Sequence, residues 1–104
     1  MAAYIYANVE VTDPVIYEEY RQKVPAMIAA HGGHYLVRGG AVEVLEGDIA
    51  PARQVILEFQ DMAALKGFYD SPEYTQLKAL RQRASKGSLI AIQGLQSVHP
   101  RATP

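Results

Sequence analysis

The segment HGGHYLVRGG, residues 31–40, gathers two histidines, one arginine and four glycines in ten positions. Histidine is the usual acid–base side chain near neutral pH, and arginine binds carboxylates. Glycine-rich loops cradle phosphates when they lead from a strand into the start of a helix. Here the glycines follow a predicted helix, whose negative end disfavours anions. We therefore interpret the segment first as a helix end, a turn and a strand.

Two residues are candidates for acid–base catalysis. Glu58 lies in the middle of the predicted strand RQVILEFQ, on a face that mixes polar and apolar side chains. Partly buried carboxylates in such places are candidate functional groups, although a salt-bridged strand glutamate is the structural alternative. His31 is the second candidate, and its structural alternative is a residue of the last helical turn.

Four further residues are candidates for ligand binding. Arg38 would bind a carboxylate, and its structural alternative is a salt bridge to Glu46 or Glu58. Strict alternation along the strand places Arg38 on the same face as His34 and Leu36. Tyrosine combines an apolar ring with a hydroxyl group, which suits pockets and interfaces. The tyrosines that we name as candidate pocket residues are Tyr6, Tyr20 and Tyr69.

The sequence offers little for metal or nucleophilic chemistry. It has three histidines and no cysteine, and His31 and His34 are separated by the glycines that break the helix. Zinc sites need three or four converging ligands, so we predict no metal and no cofactor. The serines stand in predicted caps, loops or the tail, and none lies in a nucleophile elbow.

Length and charge bound the class of protein. At 104 residues the chain fits one domain, which we place at residues 1–95, followed by a polar tail at 96–104. The net charge of −1 gives no basic face for nucleic acid. We find no apolar run long enough for a membrane span and no signal-peptide pattern, so we expect a cytoplasmic protein without a membrane partner.

Periodicity predicts alternating strands and helices. AYIYANVEV, residues 3–11, alternates strictly, so one face is apolar and the other carries Tyr4, Tyr6, Asn8 and Glu10. Asp13 caps a helix that starts at Pro14, and Pro25 is expected to kink or split that helix. Strands are predicted at 34–38, resuming at 41–46 after a Gly-Gly break, and at 53–60 and 87–95.

The remaining helices are predicted from their caps. Asp61 caps a short helix that runs through Tyr69, and Ser71 caps another with Pro72 at its first position. The apolar stripe of this last helix consists of Tyr74, Leu77, Leu80 and Ala84.

This order of elements predicts an α+β, ferredoxin-like βαββαβ fold, with a four-stranded antiparallel sheet and helices on one face. The second face of the sheet would carry Tyr4, Tyr6 and Glu58 together with Ile56. It is too mixed for a dry core and too rich in tyrosine for plain solvent. We therefore predict a homodimer in which two sheets pack face to face, with a ligand site between sheet and helices or between the two sheets.

The chain resembles the small bacterial family DUF1330, whose function is unknown. The resemblance implies a dimeric α/β barrel within the ferredoxin-like superfamily and implies no reaction. His34 and Ile49 stand where the family pattern has a longer basic residue and a tryptophan. The matching pieces are Tyr20-Arg21, Pro25, His31-Gly32-Gly33, Tyr35, Val37-Arg38-Gly39-Gly40, Glu43-Val44-Leu45-Glu46-Gly47, Leu57-Glu58-Phe59 and Tyr69-Asp70-Ser71-Pro72-Glu73-Tyr74.

Two functional hypotheses follow. In the first, the protein is a small dimeric enzyme or binder of an organic metabolite, aromatic or carboxylate, in a tyrosine-lined pocket. In the second, it is a non-catalytic structural or interaction dimer, and the same residues only join two subunits. Because no reaction is implied, whether the protein is an enzyme stays open at this stage.

Overall fold

A computed structural model describes residues 1–95 of the chain. The predicted tail at 96–104 lies outside these described residues. The elements are β1 (Ala3–Val11), α1 (Pro14–Ala30), β2 (His34–Arg38), β3 (Arg53–Phe59), α2 (Met62–Tyr69), α3 (Pro72–Ala84) and β4 (Ser85–Gln93).

The four strands form one antiparallel sheet in the order β2-β3-β1-β4. β1 is central: Tyr6 lies opposite Ile56 of β3 and opposite Ile90 of β4. This order and the helices on one face confirm the predicted α+β, ferredoxin-like fold. Among the described helices, none has the length and apolar character needed to cross a membrane.

The core lies between the sheet and the three helices. Along β1 every second residue, from Ala3 to Val9, is at most 5% exposed, so the predicted alternation is confirmed. Each large apolar side chain buried here contributes about 1.5–3 kcal/mol through the hydrophobic effect. The core side chains from the helices are Tyr17, Tyr20, Val24, Ile28, Leu65, Phe68, Tyr74, Leu77 and Ala84.

Side-chain caps begin all three helices at the predicted residues. Asp13 Oδ1 accepts a hydrogen bond from the Ile16 amide at 3.2 Å. Asp61 Oδ1 accepts one from the Ala64 amide of α2 at 2.8 Å. Ser71 Oγ accepts from the Tyr74 amide at 3.1 Å. Caps of this type are each worth about 0.5–2 kcal/mol, which explains why the boundaries could be predicted.

Pro25 does not divide α1, which runs unbroken from Pro14 to Ala30. The expectation was a kink or a split, and the split was therefore wrong. Proline lacks the N–H group that would bond to the carbonyl four residues earlier, which is that of Arg21. Arg38 Nη2 of β2 donates to this carbonyl at 3.2 Å, so the freed acceptor is satisfied from outside the helix.

The predicted strand at 41–46 was also wrong, because these residues are exposed and belong to no strand or helix. Gly39, with φ of 70°, donates its N–H to the Gln54 carbonyl at 2.8 Å and ends β2. Beyond this turn the chain leaves the sheet. β4 begins at Ser85, directly after α3 and two residues before the predicted start, because Ser85 is already in register with Val11.

Candidate functional site

The sheet separates two environments that contain different candidate residues. One face is covered by the helices. The other, which we call the open face, is covered by no element of residues 1–95. Its side chains include Tyr4, Tyr6, Asn8, Gln54, Ile56, Glu58, Ile90 and Ile92.

A β-bulge at Leu36 moves Arg38 to the helix-covered face. Tyr35 lies opposite Leu57, but Val37 lies opposite Ile56 and Arg38 opposite Val55, so the register shifts by one residue. A bulge places two residues of one strand against one of its neighbour. The predicted alternation, with Arg38 on the same face as His34, was wrong for this reason.

Two contacts hold Arg38 on that face. Its guanidinium lies 4.5 Å from the centre of the Tyr35 ring, a cation–π arrangement. Its Nη2 donates to the Arg21 carbonyl that Pro25 leaves without a helical partner. Arg38 is thus held between β2 and α1, although its side chain is exposed. Neither Glu46 nor Glu58 is its partner.

Arg38 lies at the mouth of a space between α1, α3 and the sheet, which we call the arginine cavity. It offers about 40 Å³ to the centres of water-sized molecules. One water needs roughly 10–15 Å³ by this measure, so the cavity holds about three waters or one small molecule. Its lining is Ile5, Ala7, Val9, Tyr17, Tyr20, Arg21, Val24, Ile28, Tyr35, Arg38, Arg53, Val55, Leu57, Phe68, Tyr74, Arg81 and Leu89.

Two arginines of this lining have buried nitrogens without partners. Arg81 of α3 is only 9% exposed, and its Nε has no hydrogen-bond partner among residues 1–95. The buried Nε of Arg53, on β3, is likewise unpartnered within the described chain. Arginine keeps its charge, and an unsatisfied buried donor costs about 1–3 kcal/mol, more when charged. The cavity is therefore built with positive charge that this part of the chain does not neutralise.

Tyrosines lie beside the two arginines. The hydroxyls of Tyr20 and Tyr74 are 2.8 Å apart and share a hydrogen bond. Burial raises the pKa of Tyr20 far above its ordinary value, and the charge of a neighbouring tyrosinate would add to this effect. Burial also raises the pKa of Tyr35, although the charge of Arg38 works against the shift. The hydroxyls of Tyr20 and Tyr35 therefore stay protonated and supply hydrogen bonds rather than charge.

The mouth of the cavity has a different charge balance. Arg21, half exposed, forms an ion pair with Glu18 at 2.9 Å. Hydrogen bonds from Arg21 and Gln22 hold the pKa of Glu18 below its usual range, with a smaller contribution from the charge of Arg38. A solvent-exposed pair of this kind contributes little to stability. The carboxylate of Glu18 thus partly balances the positive charge at the mouth. Inside the arginine cavity, no carboxylate of residues 1–95 balances it.

On the open face, Glu58 has two partners. Its Oε1 lies 2.8 Å from His34 Nε2, and the Tyr4 hydroxyl donates to its Oε2 at 3.2 Å. The row of three side chains crosses β2, β3 and β1. The salt-bridged interpretation of Glu58 is therefore what the geometry shows, and its proposed catalytic role is neither supported nor contradicted by these contacts.

A second polar row crosses the open face. The Tyr6 hydroxyl donates to Gln54 Oε1, and Gln54 Nε2 donates to Asn8 Oδ1 at 2.6 Å. Tyr6 is thereby separated from the arginine cavity by the full thickness of the sheet. Of the predicted ligand-binding residues, the structure brings together only Arg38 and Tyr20.

His31 and Tyr69 occupy two other places. His31 is the C-cap residue of α1, as its structural interpretation predicted, and its ring lies 6.0 Å from the Phe68 ring. Tyr69 lines a groove of about 310 Å³ between α2 and β4, together with Lys66 and Asp70. Lys78 Nζ lies 3.8 Å from the centre of the Tyr69 ring. Within the described range, no three histidine or acidic side chains cluster as metal ligands would.

Sequence reasoning missed Arg53 and Arg81. Tyr74, Leu77, Arg81 and Ala84 are the buried residues of α3, whereas Leu80, predicted for this stripe, is only partly buried. The spacing of three, four and three residues places Arg81 on the apolar stripe, and this signal was present in the sequence. An arginine on an apolar stripe is unusual and indicates a partner or a ligand.

The fold and this site define a class: a ferredoxin-like α+β protein with an arginine- and tyrosine-lined cavity between helices and sheet. Within that class the chain belongs to the family described as "Domain of unknown function (DUF1330)", whose model matches residues 2–95. The predicted family membership is thereby confirmed. Among curated proteins, no sequence matches the chain.

Solved structures share the fold. A protein of unknown function from Rhodopseudomonas palustris, RPA0582, is 19% identical, with a TM-score of 0.73 over 92% of this chain and 84% of its own. SnoaB, a cofactor-independent oxygenase from Streptomyces nogalater, is 13% identical, with a TM-score of 0.56 over 93% of this chain and 95% of its own. Rv0793 from Mycobacterium tuberculosis is 17% identical, with a TM-score of 0.54 over 94% of this chain and 99% of its own. At these identities the likeness shows the fold alone.

Proposed function

We propose that this protein is a homodimer that binds a small organic metabolite, aromatic or carboxylate, in the arginine cavity. The observation that carries the proposal is the composition of the cavity: an apolar body whose polar groups include buried arginine nitrogens without partners. Ligand pockets combine an apolar lining with a few placed polar groups in this way. Turnover of the ligand is not part of this proposal, and the likeness to the oxygenase SnoaB, being one of fold, does not add it.

Native mass spectrometry tests the proposal. We expect wild-type protein to bind small aromatic or carboxylate molecules as mass adducts that denaturation releases. Ala7→Leu, which adds side-chain volume inside the cavity, should lose them at a stability cost of about 1–3 kcal/mol. Ala30→Leu, at an exposed position of α1, is the matched control. Equal binding by wild type and Ala7→Leu, or no binding by wild type from a panel of such molecules, would contradict the proposal.

The homodimer is supported by the open face. Leu36, Ile90 and Ile92 are each about half exposed, at 52%, 51% and 46%, beside two tyrosines. An exposed patch of this kind on a sheet is typical of a protein interface. Ile90→Lys should yield a monomer in light scattering, whereas Val15→Lys, at a residue 82% exposed on α1, should leave the dimer intact. A wild-type monomer at micromolar concentration would contradict this part.

The open face also supports the second candidate function, a structural or interaction dimer, in which the arginine cavity binds nothing. Under the first function, Glu58 and His31 stay proposed acid–base residues and Tyr6 and Tyr69 proposed ligand contacts, at places separate from the arginine cavity. Under the second function, these residues only join two subunits. A ligand held between two sheets would meet Glu58 and Tyr6. The cytoplasmic location stays a prediction from the sequence.

A further inference from the structure

The charge inside the arginine cavity restricts what can fill it. Arg81 is more than nine-tenths buried, carries an unpartnered Nε and lies in the lining of the cavity. No carboxylate from residues 1–95 lines this space. A buried charge without a counter-ion is costly, so the missing partner is an anion.

Arg53 and Arg81 line the same cavity, one from the sheet and one from α3. Arg53 is in register with Val9, near the end of β1, and Arg81 lies one turn before Ala84, whose carbonyl accepts from the Thr12 and Asp13 amides that follow β1. Gly39 lets Arg53 approach closely, since a Cβ there would lie within 3 Å of its guanidinium. The turn that ends β2 therefore leaves room for the partly buried guanidinium of Arg53.

The rest of the cavity is apolar. Ile5, Leu57 and Phe68 are at most 5% exposed and line it without adding a charged group. A second charge on the ligand would be buried against these side chains without a partner. The lining therefore favours a single anionic head on an uncharged, apolar body.

We infer that the ligand is a small monocarboxylate with an apolar body, whose carboxylate is bound by Arg81 and Arg53. The inference rests on the proposed function, because it names the chemical class that the same cavity takes. The planar guanidinium offers paired donors that match the two oxygens of a carboxylate. The Tyr20–Tyr74 hydroxyl pair, which uses one O–H in its mutual hydrogen bond, supplies one further hydrogen bond to the carboxylate. Arg38 and Arg21 stand at the mouth, where positive charge speeds the encounter with an anion.

Isothermal titration calorimetry with matched probes tests this inference. The probes are benzoate and hexanoate, their neutral amides benzamide and hexanamide, and inorganic phosphate. We expect each carboxylate to bind at least ten-fold more tightly than its amide, and more tightly than phosphate. Arg81→Gln and Arg53→Gln should each weaken carboxylate binding by about 10- to 100-fold, as expected for a lost hydrogen bond to a charged group, and leave the amides unaffected.

Arg83→Gln is the control, because Arg83 lies on the same helix but is exposed. Thermal melting identifies any variant that fails to fold. If Arg81→Gln fails to fold, the test is made with Arg53→Gln. Amides that bind as well as the acids, or variants that match wild type, would overturn the inference and leave the proposed function standing. Phosphate binding as tight as that of the acids would also overturn it. Binding of neither acids nor amides would overturn both.

Discussion

The two faces of the sheet place charged groups under opposite conditions. On the open face Glu58 is partly exposed and has two partners, His34 and Tyr4. On the helix-covered face Arg81 is buried and its Nε has no partner among residues 1–95. A polar group that is both accessible and satisfied needs nothing further, whereas a buried and unsatisfied one needs a ligand. We therefore place the proposed binding site under the helices, whereas the sequence left open whether it lies there or between two sheets.

The contrast predicts unequal effects for two neighbouring residues of β3. Leu57→Ala, on the helix-covered face, should lower the free energy of unfolding by about 2–5 kcal/mol, because it leaves a cavity in the core. Ile56→Ala, on the open face, should lower it by about 1 kcal/mol at concentrations that keep the protein monomeric. Urea denaturation measures both. Equal losses would mean that the open face is packed as tightly as the core.

Alkaline pH should destabilise the helix-covered face. Burial raises the pKa of Tyr20 above its unfolded value of about 10, so the folded chain keeps a proton that the unfolded chain releases. Stability is complete below pH 10 and falls as pH rises beyond it, by about 1.4 kcal/mol per pH unit for each such tyrosine. Urea denaturation between pH 8 and pH 11 measures this slope. Tyr20→Phe should flatten it, and an unchanged slope would refute the assignment.

Removing the buried charge of Arg81 should not harm the ligand-free protein. Arg81→Met replaces a cation without a counter-ion by an apolar side chain, so we expect the free energy of unfolding to rise by about 1 kcal/mol. Benzoate should stabilise wild type and not the variant. Denaturation with and without benzoate measures both quantities. A loss of 3 kcal/mol or more without ligand would show that Arg81 has a structural role instead.

The smallest effect is expected for the satisfied carboxylate. Glu58→Gln removes the carboxylate from a contact with His34 whose side chains are 60% and 29% exposed, so the monomer should lose less than about 1 kcal/mol. Denaturation in dilute solution, with His34→Gln as the matched variant, checks this. A much larger loss would place Glu58 in a buried environment and favour a role for the open face.

Local rules predicted most of the fold. Strict alternation gave β1, and the caps at Asp13, Asp61 and Ser71 gave the helix starts, because each depends on residues close in sequence. The strand at 41–46 failed because pairing, and not propensity, decides whether an extended run becomes a strand. The prediction that Pro25 would split the helix was wrong because Arg38, far along the chain, donates a hydrogen bond to the Arg21 carbonyl.

The site could be predicted only in part. Tyr20 and Arg38 were named, but Arg38 was assigned to the wrong face, because one bulge residue at Leu36 reverses the alternation and leaves no clear mark in the sequence. Arg81 was visible on the apolar stripe of α3 but was not named as a candidate site residue. The packing of α3 against the sheet decides whether an arginine nitrogen has a partner. A local sequence pattern does not predict this packing.

The most direct test of the arginine cavity as the ligand site is the NMR signal of the arginine Nε–H groups. In ¹⁵N-labelled protein titrated with benzoate, we expect the Arg81 Nε–H signal to move downfield and saturate, with Arg53 following and Arg83 unchanged. The amide signals of Glu58 and Tyr6 should stay in place. If the Arg81 signal stays still while signals of the open face shift, the ligand site lies on the other side of the sheet.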